Sequence, residues 1–234
     1  MVWYGREIYN FVEGGVSSFD WVVPPPQDKN EFSKLYKETL PEGWPMLHPR
    51  TRYFTEAELE KVKAVDPENE RPLSVVSHGL NGGSPEPLIR DLALLLTSSD
   101  HENKWGVVEL NCRGCCRTKI TTGQLLTALS TEDVHENLAE LRRRYPKRPI
   151  YAVGFSFGAA MLANYLGAPH KDKLDLKAVS LVGCLWDLVG GAVWIATSWN
   201  EFAVVHPALN DSEIKNCLCT LLGHPLHNIN YRGT

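Results

Sequence analysis

Residues 150–167 read IYAVGFSFGAAMLANYLG. An apolar run from Ile150 to Phe155 leads into a single G-x-S-x-G, formed by Gly154, Phe155, Ser156, Phe157 and Gly158. A helical pattern over 157–166 follows at once, with Gly167 placed to end it. Strand, sharp turn and helix in that order are the setting a nucleophile elbow requires. Such a turn is tight, so its flanks must be small, and Gly154, Gly158, Ala159 and Ala160 meet that need. A helix start also presents unpaired backbone N–H groups, which favour a developing oxyanion in front of it. Ser156 is the candidate nucleophile. Stripped of its strand and helix, the same motif would be a glycine-rich turn with an incidental serine.

The rest of the chain repeats the alternation. Short apolar runs at 72–77 (PLSVVS), 105–111 (WGVVELN), 149–155 and 177–183 (KAVSLVG) have the length and continuity of strands buried on both faces of a parallel sheet. Between them, 85–96 places Leu88, Leu92, Leu95 and Leu96 at helical spacing, and 131–145 does so with Val134, Leu138, Leu141 and Tyr145. Ser130 and Asp133 resemble a capping box. Ahead of this, 6–12 and 16–23 flank Glu13-Gly14-Gly15 as a hairpin that Pro24-Pro25-Pro26 ends. Residues 27–70 are polar and proline-bearing, and predict a connecting excursion with short helical pieces such as 55–65. The class is α/β: a mostly parallel sheet flanked by helices. Its parts are a hairpin and connecting segment over 1–70, a core over 71–184, and a partial helical cap with a divergent tail over 185–234.

Composition narrows the function. Charged residues are 22% of the 234 and the net charge is −4, with no basic run of five or more, so nucleic acid is not an expected partner. The Arg142–Arg144 cluster reads as a solvated helix face. No apolar leader follows Met1, so the six cysteines (112, 115, 116, 184, 217 and 219) are expected to be free thiols inside the cell. Cys112-x-x-Cys115-Cys116 lacks a second ligand pair, and no metal is expected there. Within the apolar region from Ala178 to Val205, Asp187 and Glu201 leave 13 residues between them. A bilayer span needs about 20. Trp186, Trp194 and Trp199 cluster in that region and would suit peripheral contact with a membrane or lipid droplet.

Directly after the 72–77 strand comes SHGLNGGS, residues 77–84. In sheets of this kind that loop supplies the second oxyanion donor, a backbone N–H near the end of His78-Gly79-Leu80. It lacks the Lys-Ser/Thr of a P-loop. His78 precedes the serine and adjoins this loop, so it reads as structural. Four segments, GREIYNFVEGGVSSFDWV, SHGLNGGSPEPLIRDL, LNCRGCCRTKITTGQLLTALSTED and YAVGFSFGAAMLANYLG, together resemble the fungal branch of the α/β-hydrolase superfamily that contains the medium-chain fatty acid ethyl ester synthase/esterases. The resemblance runs from about residue 4 to about 210, and Asn111-x-Arg113-Gly114-Cys115 is its most specific mark. It implies Ser156 as nucleophile and Leu80 and Phe157 as the oxyanion N–H donors. It also implies medium-chain acyl esters, or acyl-coenzyme A plus an alcohol, as reactants, and no cofactor.

The partners of the serine are harder to place. The fold's order is Ser, then Asp or Glu, then His. The strand after Ser156 ends near Gly183, and a further strand-plus-helix unit takes about 30 residues. The acid is therefore expected near 210 or later and the histidine past about 235, with a cap after Trp186-Asp187 pushing both further. His206, His224 and His227 do not sit in a glycine-framed loop, and His170 follows the serine too closely. The chain is accordingly expected to be the N-terminal part of a longer hydrolase, without the last strands and most of the cap, poorly stable alone and lacking its base. A thioesterase or peptidase would keep the same serine with another leaving group. The other class of function is a hydrolase fold that binds a lipid or a partner without catalysis.

Overall fold

A computed structural model describes residues 1–98, 105–170 and 174–187. The hairpin forms as the sequence predicts. Strand β1 (Trp3–Asn10) pairs antiparallel with β2 (Val16–Val23), and the turn uses Gly14 and Gly15 at φ 91° and 88°. The four buried runs become β4 (Leu73–Ser77), β5 (Gly106–Asn111), β6 (Ile150–Phe155) and β7 (Leu176–Val182). Their helices are α3 (Pro87–Thr97), α4 (Thr131–Arg144) and α5 (Phe157–Gly167). Strands β5, β4, β6 and β7 are parallel neighbours, and β2 joins β5 antiparallel, which welds the hairpin to the core.

The connecting segment holds more order than its composition suggests. It contains α1 (Lys29–Glu38), capped by Asp28, and α2 (Glu56–Lys63), capped by Thr55 with Glu58 in a reciprocal box. Between them, β3 (Thr51–Tyr53) pairs parallel with β1, so the sheet order is β3-β1-β2-β5-β4-β6-β7. Three residues carry too little periodicity to be read as a strand.

Alternation along β4 and β5 divides the core. Val75 and Val108 face Leu138 and Leu141 of α4 and Met161 and Leu162 of α5. Val76 and Val107 face Ile89 and Ala93 of α3. The last run differs from its prediction as a fully buried strand: Val179 and Leu181 of β7 pack on the core, while Ala178 and Ser180 are exposed and Val182 is 43% exposed.

Three local readings are corrected. Ser130 makes no cap bond to α4. Its Oγ accepts from Thr127 N at 3.0 Å, and Asp133 is taken by an arginine. Gly167 is the last helical residue of α5 rather than a left-handed stop, and Ala168 caps it in extended conformation. The Arg142–Arg144 cluster is no solvated face. Arg144 is 1% exposed and grips Glu7 of β1 with two bonds of 2.8 and 2.7 Å, and Arg142 donates to backbone carbonyls. Only Arg143 points to solvent, paired with Glu140. Because Glu7 is itself fully buried, this pair locks the end of α4 onto the hairpin.

Candidate active site

Ser156 stands between β6 and α5 with φ 51° and ψ −110°, a region that L residues avoid, and its side chain is exposed. The backbone around it is pressed against its neighbours. A Cβ on Gly158 would lie 2.4 Å from the His78 carbonyl oxygen and 2.5 Å from that of Ser77. A Cβ on Gly154 would lie 2.6 Å from Ala159 Cα. These two glycines let α5 start directly over the end of β4. The Ser156 N–H donates to the Val182 carbonyl at 2.8 Å, so β7 fixes the elbow from the other side. Phe157 opens α5, so its N–H is among the helix-start donors that have no intrahelical acceptor.

The loop after β4 lies beside the serine: a Cβ on Gly79 would be 3.6 Å from Ser156 Cβ. His78 is buried with both ring nitrogens engaged. Nε2 accepts from the Cys112 N–H at 3.2 Å, which leaves the proton on Nδ1 for the Gly79 carbonyl at 2.6 Å. Burial also holds its pKa below the ordinary histidine value. His78 therefore splints the loop. His170 stacks on His135 at 4.7 Å beyond the far end of α5, and the helix separates it from Ser156. Among the described residues no side chain hydrogen-bonds Ser156 Oγ. His206, His224, His227, Trp194 and Trp199 lie outside the described residues, as does nearly all of the segment read as cap and tail.

The Asn111-x-Arg113-Gly114-Cys115 motif forms the wall of this site. Arg113 grips Asp133 with bonds of 2.6 and 2.8 Å, donates to the Gly14 carbonyl at 2.9 Å, and lies over the Phe11 ring at 4.2 Å. It thereby joins β5, the hairpin turn and the start of α4. Gly15 is needed here, since a Cβ would lie 1.7 Å from the Arg113 guanidinium. Cys115 is buried and Cys112 partly so, and burial pushes both thiols up, Cys115 to about 11. Among the described residues no group of three or more metal-ligating side chains is gathered, and no helix is long and apolar enough to cross a membrane.

Behind the loop lies a buried network absent from the reading of the motifs. Arg6 and Asp20 pair across the hairpin through two bonds of 2.7 Å, at 1% and 0% exposure. Its signal was available: folding the hairpin at Glu13 sets Arg6 opposite Asp20. Two opposite charges in strands that must be buried have to meet. Beside the loop opens a cavity of about 410 Å³ lined in part by His48, Asn81, Glu86, Cys116 and Arg117.

A parallel sheet with the serine on the turn after β6 and a glycine-rich loop after β4 is the frame of a hydrolase, and the chain belongs to that family: residues 75–193 match the alpha/beta hydrolase fold. Among curated relatives, the chain is 46% identical over 210 residues to the medium-chain fatty acid ethyl ester synthase/esterase 2 of Saccharomyces cerevisiae, covering 85% of this chain and 45% of that protein. It is 30% identical over 232 residues to the monoacylglycerol lipase of the same yeast, covering 96% of this chain and 49% of that one. The chain thus spans about half the length of these relatives. Among solved structures it superposes on the Pyrococcus furiosus esterase Pf2001 with a TM-score of 0.53 at 12% identity, over 92% of this chain and 64% of that one, a likeness of fold.

Proposed function

We propose that Ser156 is the nucleophile of a serine ester hydrolase and acyltransferase acting on medium-chain acyl esters. The observation that carries the proposal is the elbow itself: an exposed serine hydroxyl held at φ 51°, with the glycine-rich loop against it. A serine at a backbone angle that glycine would meet without strain points to a role for its hydroxyl.

The steps follow. Ser156 Oγ attacks the acyl carbonyl and gives its proton to a general base. The carbonyl becomes an oxyanion, held by the N–H groups of Phe157 and Leu80. The intermediate collapses to acyl-Ser156 and expels the alcohol, or the thiol of an acyl-coenzyme A, which takes the proton back. Water then releases the free acid, or an alcohol takes the acyl group as a new ester. No cofactor enters. One oxyanion donor in such a site is worth about 3–4 kcal/mol. Medium-chain acyl groups and an alcohol acceptor are supported by the 46% identity to an ethyl ester synthase/esterase. Peripheral contact with a lipid surface is supported by Trp186, which is 77% exposed.

The test is product partitioning. The protein is given an octanoyl ester, or octanoyl-coenzyme A, in buffer with increasing ethanol, and octanoic acid and ethyl octanoate are quantified. A shared acyl-Ser156 predicts the same product ratio from both donors, rising in proportion to ethanol and vanishing in Ser156→Ala. Ratios that differ between donors would contradict the shared intermediate. Binding of the ester without any Ser156-dependent product would favour a non-catalytic lipid-binding role.

A further inference from the structure

Residues 78–84 are tied to the 111–118 segment at both ends. At the front, His78 Nε2 accepts from the Cys112 N–H. At the back, the Ser84 N–H reaches Asn111 Oδ1 at 3.4 Å, and Ser84 Oγ donates to Asp20 Oδ2 at 2.5 Å. Asp20 Oδ2 also accepts from Arg6 Nη2, and Arg6 Nη1 donates to the Cys116 carbonyl at 2.6 Å. Ser84, Asp20 and Asn111 are 0% exposed. The loop fits this wall closely: Gly83 has φ 151°, and a Cβ there would lie 2.4 Å from Cys116 Cβ and 2.8 Å from Asn111 Oδ1.

We infer that Ser84, hung on the buried Arg6–Asp20 pair, is a positioning residue for the loop that carries the Leu80 N–H. The inference rests on the esterase reading of the site and adds the device that aims its second donor. Its physical basis is the placing of the ion pair. Burying two charges is costly, and an apolar pair at this cross-strand position would serve stability as well or better. A carboxylate satisfied on one side by a bidentate arginine keeps a lone pair for a third donor, and here that donor is the serine at the end of the loop. Ser84 thus donates a charge-assisted bond to a carboxylate on a rigid hairpin, at a point four residues beyond Leu80. The loop tip itself is held more lightly: the Gly82 N–H donates to the Gly79 carbonyl at 3.1 Å, and the Asn81 backbone bonds the Cys115 thiol. Leu80 is 46% exposed, and Asn81 takes φ 57°.

The test is Ser84→Ala in the full chain, read in two ways. Hydrogen exchange of the amides at 79–83 is expected to quicken by about tenfold, while those of α4 stay unchanged, because only the local opening equilibrium shifts. Ser84→Cys, close in size and a weak donor, falls between the two. In octanoyl ester hydrolysis, kcat is expected to fall by about tenfold with KM unmoved, since the oxyanion exists only in the transition state. Unchanged exchange at 79–83, or an equal rise in α4, overturns the inference, and so does a raised KM at constant kcat. The exchange readout does not pass through turnover. Absence of Ser156-dependent product would sink the esterase reading while exchange still decides the positioning role.

Discussion

Ser156, the proposed nucleophile, shows what such a position costs the fold. Its φ of 51° with ψ −110° lies outside the regions an L side chain prefers, and such positions cost about 1–3 kcal/mol. Glycine carries no such penalty there. Ser156→Gly is therefore expected to stabilise the protein by about 1 kcal/mol while abolishing esterase activity, measured as a shift in the urea midpoint at constant m. A destabilised Ser156→Gly would mean the backbone there is not strained. At this scale the sequence was informative, because chemistry and local shape coincide: only small residues fit at 154 and 158, and they frame the serine visibly. His78 was also readable as structural, from its place before the serine and beside the loop. What could not be read was which groups satisfy buried atoms. Ser130 and Asp133 have the spacing of a cap, but Arg113, twenty residues earlier, outcompetes the helix end for Asp133 with a bidentate charged pair.

At the level of elements, the decisive joints are charged. Arg113 binds β5 to the hairpin turn and to α4, at 5% side-chain exposure against 10% for Asp133. Removing one partner leaves the other buried and unpaired, so Arg113→Ala is expected to destabilise by about 3–5 kcal/mol, read from equilibrium unfolding. A loss within about 0.5 kcal/mol, the scale of an ordinary surface substitution, would contradict the account. The second case is Glu109 in the middle of β5. It is fully buried, neither carboxyl oxygen has a partner among the described residues, and it lies in the Asp20 register position of β2. Burial, then the charges of Asp20 and Glu86, push its carboxyl well above the usual carboxylate range. A group whose pKa is raised on folding lends stability below its unfolded value, near 4.3, and loses it as pH rises toward its folded value. Glu109→Gln is therefore expected to gain stability relative to the native protein as pH rises above about 4.3, by up to about 1.4 kcal/mol per pH unit while the group stays protonated in the fold. A difference between the two melting curves that is flat with pH would show that Glu109 finds a partner. The element types themselves were legible from hydrophobic runs and spacing. The exceptions, β3 and the buried end of α4, are those where tertiary pairing decides. Three residues become a strand because β1 offers an edge, and Arg144 goes inside because Glu7 waits there.

Across the whole molecule, the described residues bring together one half of the proposed site on an α/β-hydrolase fold. They hold the elbow, the loop after β4, and the hairpin and β5 wall that support that loop. This half was legible because its parts are local in sequence and carry motifs. The pairing of Ser156 with a base is long-range, and in sequence it is only an ordering rule. On this scaffold Ser156 is proposed to act as a nucleophile. That role is tested most directly by following p-nitrophenolate release from p-nitrophenyl octanoate by the chain and by Ser156→Ala, each across a series of imidazole concentrations. Imidazole in solution can take the proton if no histidine of the chain does, so the readout isolates the serine from its base. Release above the Ser156→Ala background is expected, present without imidazole or growing with it, together with an octanoyl adduct on the peptide containing Ser156. Curves that superimpose for the two proteins at every imidazole concentration would contradict it.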